Sequence, residues 1–151
     1  MYTRVSKYEM VAEKVRGYNS DIIDKRMNDA NNIARFIMQT LQSDRMIVEH
    51  FYVFLLDTKL KVMGFTDVSG TLDAAPVHPR EVFAPAIAIP KVAAVIVAHN
   101  HPSGDPTPSI EDIQVTERLV KAAEILGIKL LDHVIVGENC WTSLRSEGYI
   151  A

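Results

Sequence analysis

The stretch Val92-Ala-Ala-Val-Ile-Val-Ala-His-Asn-His-Pro-Ser-Gly-Asp-Pro-Thr-Pro-Ser-Ile-Glu-Asp112 decides the fold. Residues 92–98 are apolar and rich in β-branched side chains, the composition of a central strand buried on both faces. Side chains two apart on a strand share a face, so His99 and His101 project together and Asn100 points away. Pro102 lacks a ladder donor and Gly104 tolerates unusual dihedrals, so the strand stops there and the chain turns. A helical pattern follows over 110–126, with its apolar face expected at Ile113, Val120, Ala123 and Leu126 and its stop at Gly127. Ser109 falls at the N-cap of that helix and Asp112 at N3, which turns the Asp112 carboxylate back toward the strand end.

Two imidazoles and one carboxylate leave one tetrahedral position open for solvent, the arrangement of a catalytic rather than a structural zinc. The same three ligands also make the facial triad of non-haem iron oxygenases. Each residue has a simpler reading as well. His99 and His101 can be two polar residues ending a strand, and Ser109 with Asp112 can be the halves of a capping box worth about 1 kcal/mol without any chemistry. An isolated His-x-His is a weak signal; its conjunction with Ser-x-x-Asp behind a buried strand is a specific one.

Working outward, Asn28 or Asp29 caps a helix whose apolar positions are Ala30, Ile33, Ala34, Ile37, Met38 and Leu41. Residues 46–57 and 60–69 read as a β-hairpin turning at Asp57-Thr-Lys59, its first strand buried on both faces with Glu49 at the start. Pro79 opens a helix that Pro85 is expected to bend or shorten. After the central motif, 128–136 form another strand and 141–144 a last one. Residues 8–16 read as a strand by the alternation of Val11 and Val15 or as a short helix by propensity, the strand being preferred, within an N-terminal arm over 1–27 packed on a domain over 28–151. The order of elements gives an α/β fold of the α+β kind, a mixed central sheet flanked by helices.

A chain of 151 residues fits one domain with a real core. Its single cysteine, Cys140, suggests a reducing compartment and an ordinary buried thiol. With no apolar run of membrane-spanning length and no signal-peptide layout, the expected setting is the cytoplasm. A net charge of −3 with dispersed Lys and Arg argues against a strong electrostatic grip on nucleic acid. His133, beside Asp132, reads as a hydrogen-bonded core histidine or as a support for a ligand. His50 and His78 read as structural or exposed, and Arg80 and Glu81 as a structural pair.

His-x-His followed by Ser-x-x-Asp, with a Glu far upstream, resembles the JAMM motif of the JAB/MPN metalloprotease superfamily. The version His99-Asn-His-Pro-Ser-Gly-Asp-Pro106, with Leu131-Asp-His-Val-Ile-Val-Gly137 downstream, resembles the RadC family closely. Residues 70–81 and 143–148 are similar to further segments of that family, so the resemblance covers about residues 28–151. It implies a JAB/MPN, deaminase-like architecture and one Zn2+ per chain held by His99, His101 and Asp112. It implies Glu49 as the general base and Ser109 as a hydroxyl that steadies the intermediate. The activity it implies is hydrolysis of an amide bond in a peptide or isopeptide. The alternative it carries is a DNA-repair-associated binding module with a structural metal. Other members have an N-terminal helix-hairpin-helix segment for DNA contact, and no such pattern is legible here.

Overall fold

A computed structural model describes residues 6, 7, 17, 29–43, 46–68 and 77–151. The strand expected at 8–16, most of the N-terminal arm and residues 69–76 lie outside the described residues.

Among the described residues, five strands make one sheet: β1 (Phe51–Leu56), β2 (Val62–Asp67), β3 (Ala94–Asn100), β4 (Lys129–Val136) and β5 (Trp141–Ser143). Their order is β2-β1-β3-β4-β5, which puts β3 at the centre. β3 and β4 are parallel and every other pairing is antiparallel, so the sheet is mixed, as the order of elements implies. A parallel pair needs a crossover, and the helix α3 (Ile110–Leu126) supplies it.

Alternation along the strands divides the core between two faces. Phe51, Val53 and Leu55 of β1 join Val95 and Val97 of β3 beneath α2 (Pro79–Ala88) and α3. Tyr52, Phe54 and Leu56 join Ala94, Ile96 and Ala98 against α1 (Ala30–Arg35) and the π-helical turn Phe36–Thr40 that continues it. Because both faces are covered, all of β1 and β3 is buried, which is why each reads as an unbroken apolar run. Phe36, Phe54 and Phe65 pack with ring centroids 5.4–5.9 Å apart and tie the hairpin to α1.

Several boundaries differ from expectation for local reasons. Asp29, not Asn28, caps α1, accepting from Asn31 N at 2.9 Å. The wider turn after it lets Phe36 and Ile37 enter the core side by side, which helical spacing does not foresee. The first hairpin strand begins at Phe51 rather than Met46, since the backbone before it bonds to a side chain instead of a ladder. The second runs Val62–Asp67 rather than 60–69, because Leu60 takes a left-handed conformation (φ 59°) in the turn that Asp57 Oδ1 closes by accepting from Lys59 N and Lys61 N. α2 continues through Pro85 to Ala88; Pro79 sits in its first turn and His78 caps it in a box with Glu81, so Glu81 is a cap partner. α3 buries Thr116, Leu119 and Ala123, while Leu126 is 44% exposed and belongs to the surface.

Candidate metal centre

The site lies where β3 ends and α3 begins, on the face that carries Phe51 and Val97. His99 is the penultimate residue of β3 and His101 the first beyond it, and their Nε2 atoms are 3.0 Å apart. The two-residue spacing therefore delivers both imidazoles to one point. Ser109 caps α3: its Oγ accepts from Asp112 N at 3.1 Å and its N–H donates to Asp112 Oδ2 at 2.9 Å. That box fixes the Asp112 carboxylate over the strand end, with Oδ1 3.2 Å from His99 Nε2 and Oδ2 3.0 Å from His101 Nε2. Capping and convergence on the imidazoles are thus one arrangement, not alternatives.

Hydrogen-bond accounting assigns the ring protons. Thr116 Oγ1 donates to the Asp112 carbonyl at 2.7 Å, so its lone pair accepts from His133 Nδ1–H at 2.6 Å. Burial pushes the His133 pKa well below the usual 6.5, so this imidazole is neutral and its Nε2 is an acceptor. It accepts from His99 Nδ1–H at 2.8 Å, and His99 Nε2 is left with a lone pair facing the site. His101 Nδ1–H donates to the Asp105 carbonyl at 2.8 Å, which turns the second Nε2 lone pair inward as well. Phe51 stacks on His99 with centroids 5.7 Å apart and holds the ring's plane.

Two inward lone pairs 3.0 Å apart beside a carboxylate repel one another unless a cation lies among them. In the absence of a metal a proton must serve. The Asp112 hydrogen bond raises the His101 pKa, against an opposing effect of burial. Burial raises the Asp112 pKa, but the hydrogen bonds of His101 and His99 overcome it and hold the carboxyl well below the usual carboxylate range. A zinc ion fits the donor set too. With metal–ligand distances near 2.0–2.1 Å, a tetrahedron has edges of about 3.3 Å; here the two Nε2 atoms are 3.0 Å apart, and each lies 3.0–3.2 Å from a different oxygen of the Asp112 carboxylate.

Glu49 completes the cluster: its Oε1 is 3.7 Å from His99 Nε2, and one ligand atom from each of Glu49, His99, His101 and Asp112 falls within 4.8 Å of all the others. It lies two residues before β1, and its side chain is 57% exposed while that of His99 is 1% exposed.

The family model for the RadC-like JAB domain matches residues 27–149. The chain belongs to that family. A UPF0758 protein of Desulforamulus reducens is 50% identical over 121 residues, covering 79% of this chain and 52% of that protein. One from Desulforudis audaxviator is 54% identical over 101 residues, covering 66% of this chain and 44% of that protein. A third, from Desulfitobacterium hafniense, is 46% identical over 138 residues, covering 89% and 59%. The RadC-like chain thus spans about half the length of the curated relatives it matches. The wider JAB/MPN superfamily includes metallohydrolases, and the five-stranded mixed sheet with three α-helices formed by the described residues is consistent with a JAB/MPN domain.

Other residues of the motif fall into structural roles. Asp132 does not bond the His133 ring; it accepts from Ser143 Oγ at 2.6 Å and from Arg145 N at 3.1 Å and so organises the last turn. Cys140 is only half-buried, its thiol 3.6 Å from the Gly104 carbonyl. Gly137 is required by close approach, since a Cβ there would overlap that same carbonyl, which accepts from Glu138 N. Thr116 and Asn100 were not singled out by sequence reasoning. Thr116 stands four residues after Asp112 on one helix face, a spacing that could have flagged it. Among the described residues, no helix is long and apolar enough to cross a membrane.

Proposed function

We propose that this RadC-like domain is a zinc-dependent hydrolase of amide bonds, with a peptide or isopeptide as substrate. His99, His101 and Asp112 would hold the ion. The observation that carries the reading is the convergence of two inward imidazole lone pairs and an ionised carboxylate, with a second, exposed carboxylate 3.7 Å away. When bound, zinc supplies a Lewis acid that polarises the substrate carbonyl and lowers the pKa of water to about 7.

The chain's own residues move the proton. Glu49 accepts a proton from the attacking water as the water oxygen bonds to the carbonyl carbon, then returns it to the amide nitrogen as the C–N bond breaks. The products are a carboxylic acid and an amine, and the acid's proton passes to the amine at neutral pH, leaving a carboxylate and an ammonium. A base needs solvent access and freedom to turn between two positions, and the exposed Glu49 has both. Asp112, whose carboxyl stays ionised, cannot carry the proton and serves the ion. Ser109 Oγ uses a lone pair on Asp112 N–H and keeps its own proton, which it donates to the oxyanion.

Replacing Glu49 with Gln separates the roles. Glu49→Gln keeps about one zinc per chain and loses hydrolysis by a factor of about a hundred or more, because only the base is gone. The variant also traps substrates, so comparing the peptides and conjugates that accumulate with it against wild type identifies the substrate. Full turnover by Glu49→Gln on a cleavable substrate contradicts the assignment.

A further inference from the structure

Glu49 stands on residues 46–50, a segment outside the sheet ladder, yet it meets His99 at a defined distance. Two side chains hold that segment: that of His50, whose Nδ1 lies 2.7 Å from Asp67 Oδ2 on β2, and that of Asn100, between His99 and His101. Asn100 is 1% exposed and turned to the opposite face of β3 from His99 and His101. Its Oδ1 accepts from His50 N at 2.7 Å, and its Nδ2 donates to the Val48 carbonyl at 3.1 Å and to the Ser43 carbonyl at 3.3 Å. The two shorter bonds grip the residues immediately before and after Glu49. An amide offers a donor and an acceptor from one planar group, and a grip on both a C=O and an N–H two residues apart needs both.

We infer that Asn100 is a positioning residue for Glu49, registering the base to the ion through the strand that also carries His99 and His101. The inference rests on the reading of Glu49 as the base. Strand geometry makes it economical: odd positions 99 and 101 point into the site, and the even position between them fastens the loop that supplies the fourth group. Any shift of β3 carries ligands and base together.

The test uses the full chain loaded with cobalt(II), whose visible bands report the ion's surroundings and titrate as the solvent there ionises. The negative charge of Glu49 beside that group raises the titration midpoint, so Glu49→Gln lowers it, by about one pH unit. Asn100→Ala is expected to keep cobalt affinity within about threefold of wild type, because no ligand is touched. It should lower the midpoint by about half as much as Glu49→Gln or more, and should lower it no further when combined with Glu49→Gln. Exchange of the His50 amide proton should accelerate about tenfold or more as its acceptor is lost. Asn100→Ser, smaller but polar, gives the same readings if the alanine variant does not fold.

A midpoint unmoved by either Asn100 variant but moved by Glu49→Gln overturns the role of Asn100 alone. Additive shifts in the combined variant, or loss of cobalt in both Asn100 variants, also overturn it, since Asn100 would then act independently of Glu49. A midpoint unmoved by Glu49→Gln removes the base assignment and the role of Asn100 with it.

Discussion

His99, His101 and Asp112 stand on a buried strand end and a capped helix N-terminus, whereas Glu49, 3.7 Å from His99, stands on a segment that belongs to neither. On the first side every polar atom has a fixed partner: Thr116, His133 and Asp105 set the ring protons and Ser109 sets the carboxylate. On the second, a 57% exposed carboxylate is fixed only through its backbone. A metal ligand set gains affinity from being rigid before the ion arrives, while a base that takes and returns a proton gains from being able to move. Under the proposed function, the two halves of the site would answer those two demands.

Removing a ligand breaks the rigid side outright. His99→Ala or Asp112→Ala should cost a thousandfold or more in zinc affinity, roughly the loss of one of three protein ligands, measured by competition with a chelator. Either variant retaining wild-type affinity would mean that the cluster does not hold the ion. Asp112→Ala also removes half of the α3 capping box, so it should melt earlier than His99→Ala does for that reason alone.

The relay behind His99 is the next largest effect. His133→Leu leaves His99 Nδ1–H without an acceptor and frees the ring to adopt the other tautomer, so zinc affinity should fall about 10–100-fold. His133→Gln, whose amide oxygen can still accept from His99, should recover most of that loss. Equal loss in both variants would make His133 a matter of packing rather than of ring protons.

Acid acts on the rigid side. The raised His101 pKa means that a proton begins to compete with zinc at a pH above the ordinary 6.5. Affinity should then fall with falling pH, approaching about tenfold per unit. The sign reverses for the metal-free protein. A raised pKa stabilises the protonated folded form, so that contribution is full below the unfolded value and is lost as pH rises through the folded one. Asp112, depressed instead, contributes above its ordinary 3.8 and loses that contribution as pH falls toward its folded value. His133, depressed by burial, loses stability as pH falls and opposes His101 in the same range, so the sign is read from the difference in melting between chelator-treated wild type and His101→Gln across about pH 5 to 8; that difference should shrink as pH rises while zinc affinity grows, and a difference that widens would contradict the assignment of His101.

Ser109→Ala touches both sides least. It removes the cap and the hydroxyl, and should lower stability by about 1 kcal/mol while leaving zinc stoichiometry intact. A larger loss of turnover than of stability would separate oxyanion support from capping.

The rigid side was legible in the sequence because it is local. His99 and His101 obey strand periodicity, and Ser109 with Asp112 obeys the spacing of a capped helix, so the convergence of His99, His101 and Asp112 within one strand-turn-helix follows from pattern. The mixed sheet and its central strand followed from the same apolar runs. Glu49 was legible only through family resemblance, since a carboxylate ahead of an apolar strand is ordinarily just solvated. The strand was expected to begin before it, at Met46, because apolar residues at Ile47 and Val48 extend the run; both are exposed, and the ladder starts only where Asn100 releases the backbone. Likewise the helical period carries the α3 stripe on to Leu126, which is exposed because Gly127 ends the helix where it leaves the sheet. Contacts such as Asn100 with residues 43, 48 and 50 depend on tertiary proximity, and no spacing rule encodes them.

The most direct measurement is metal analysis of the chain purified without chelators. About one zinc per chain, lost from His99→Ala and kept in Glu49→Gln, is the predicted result. Less than about a tenth of an equivalent, with none taken up on adding zinc at neutral pH, would contradict it.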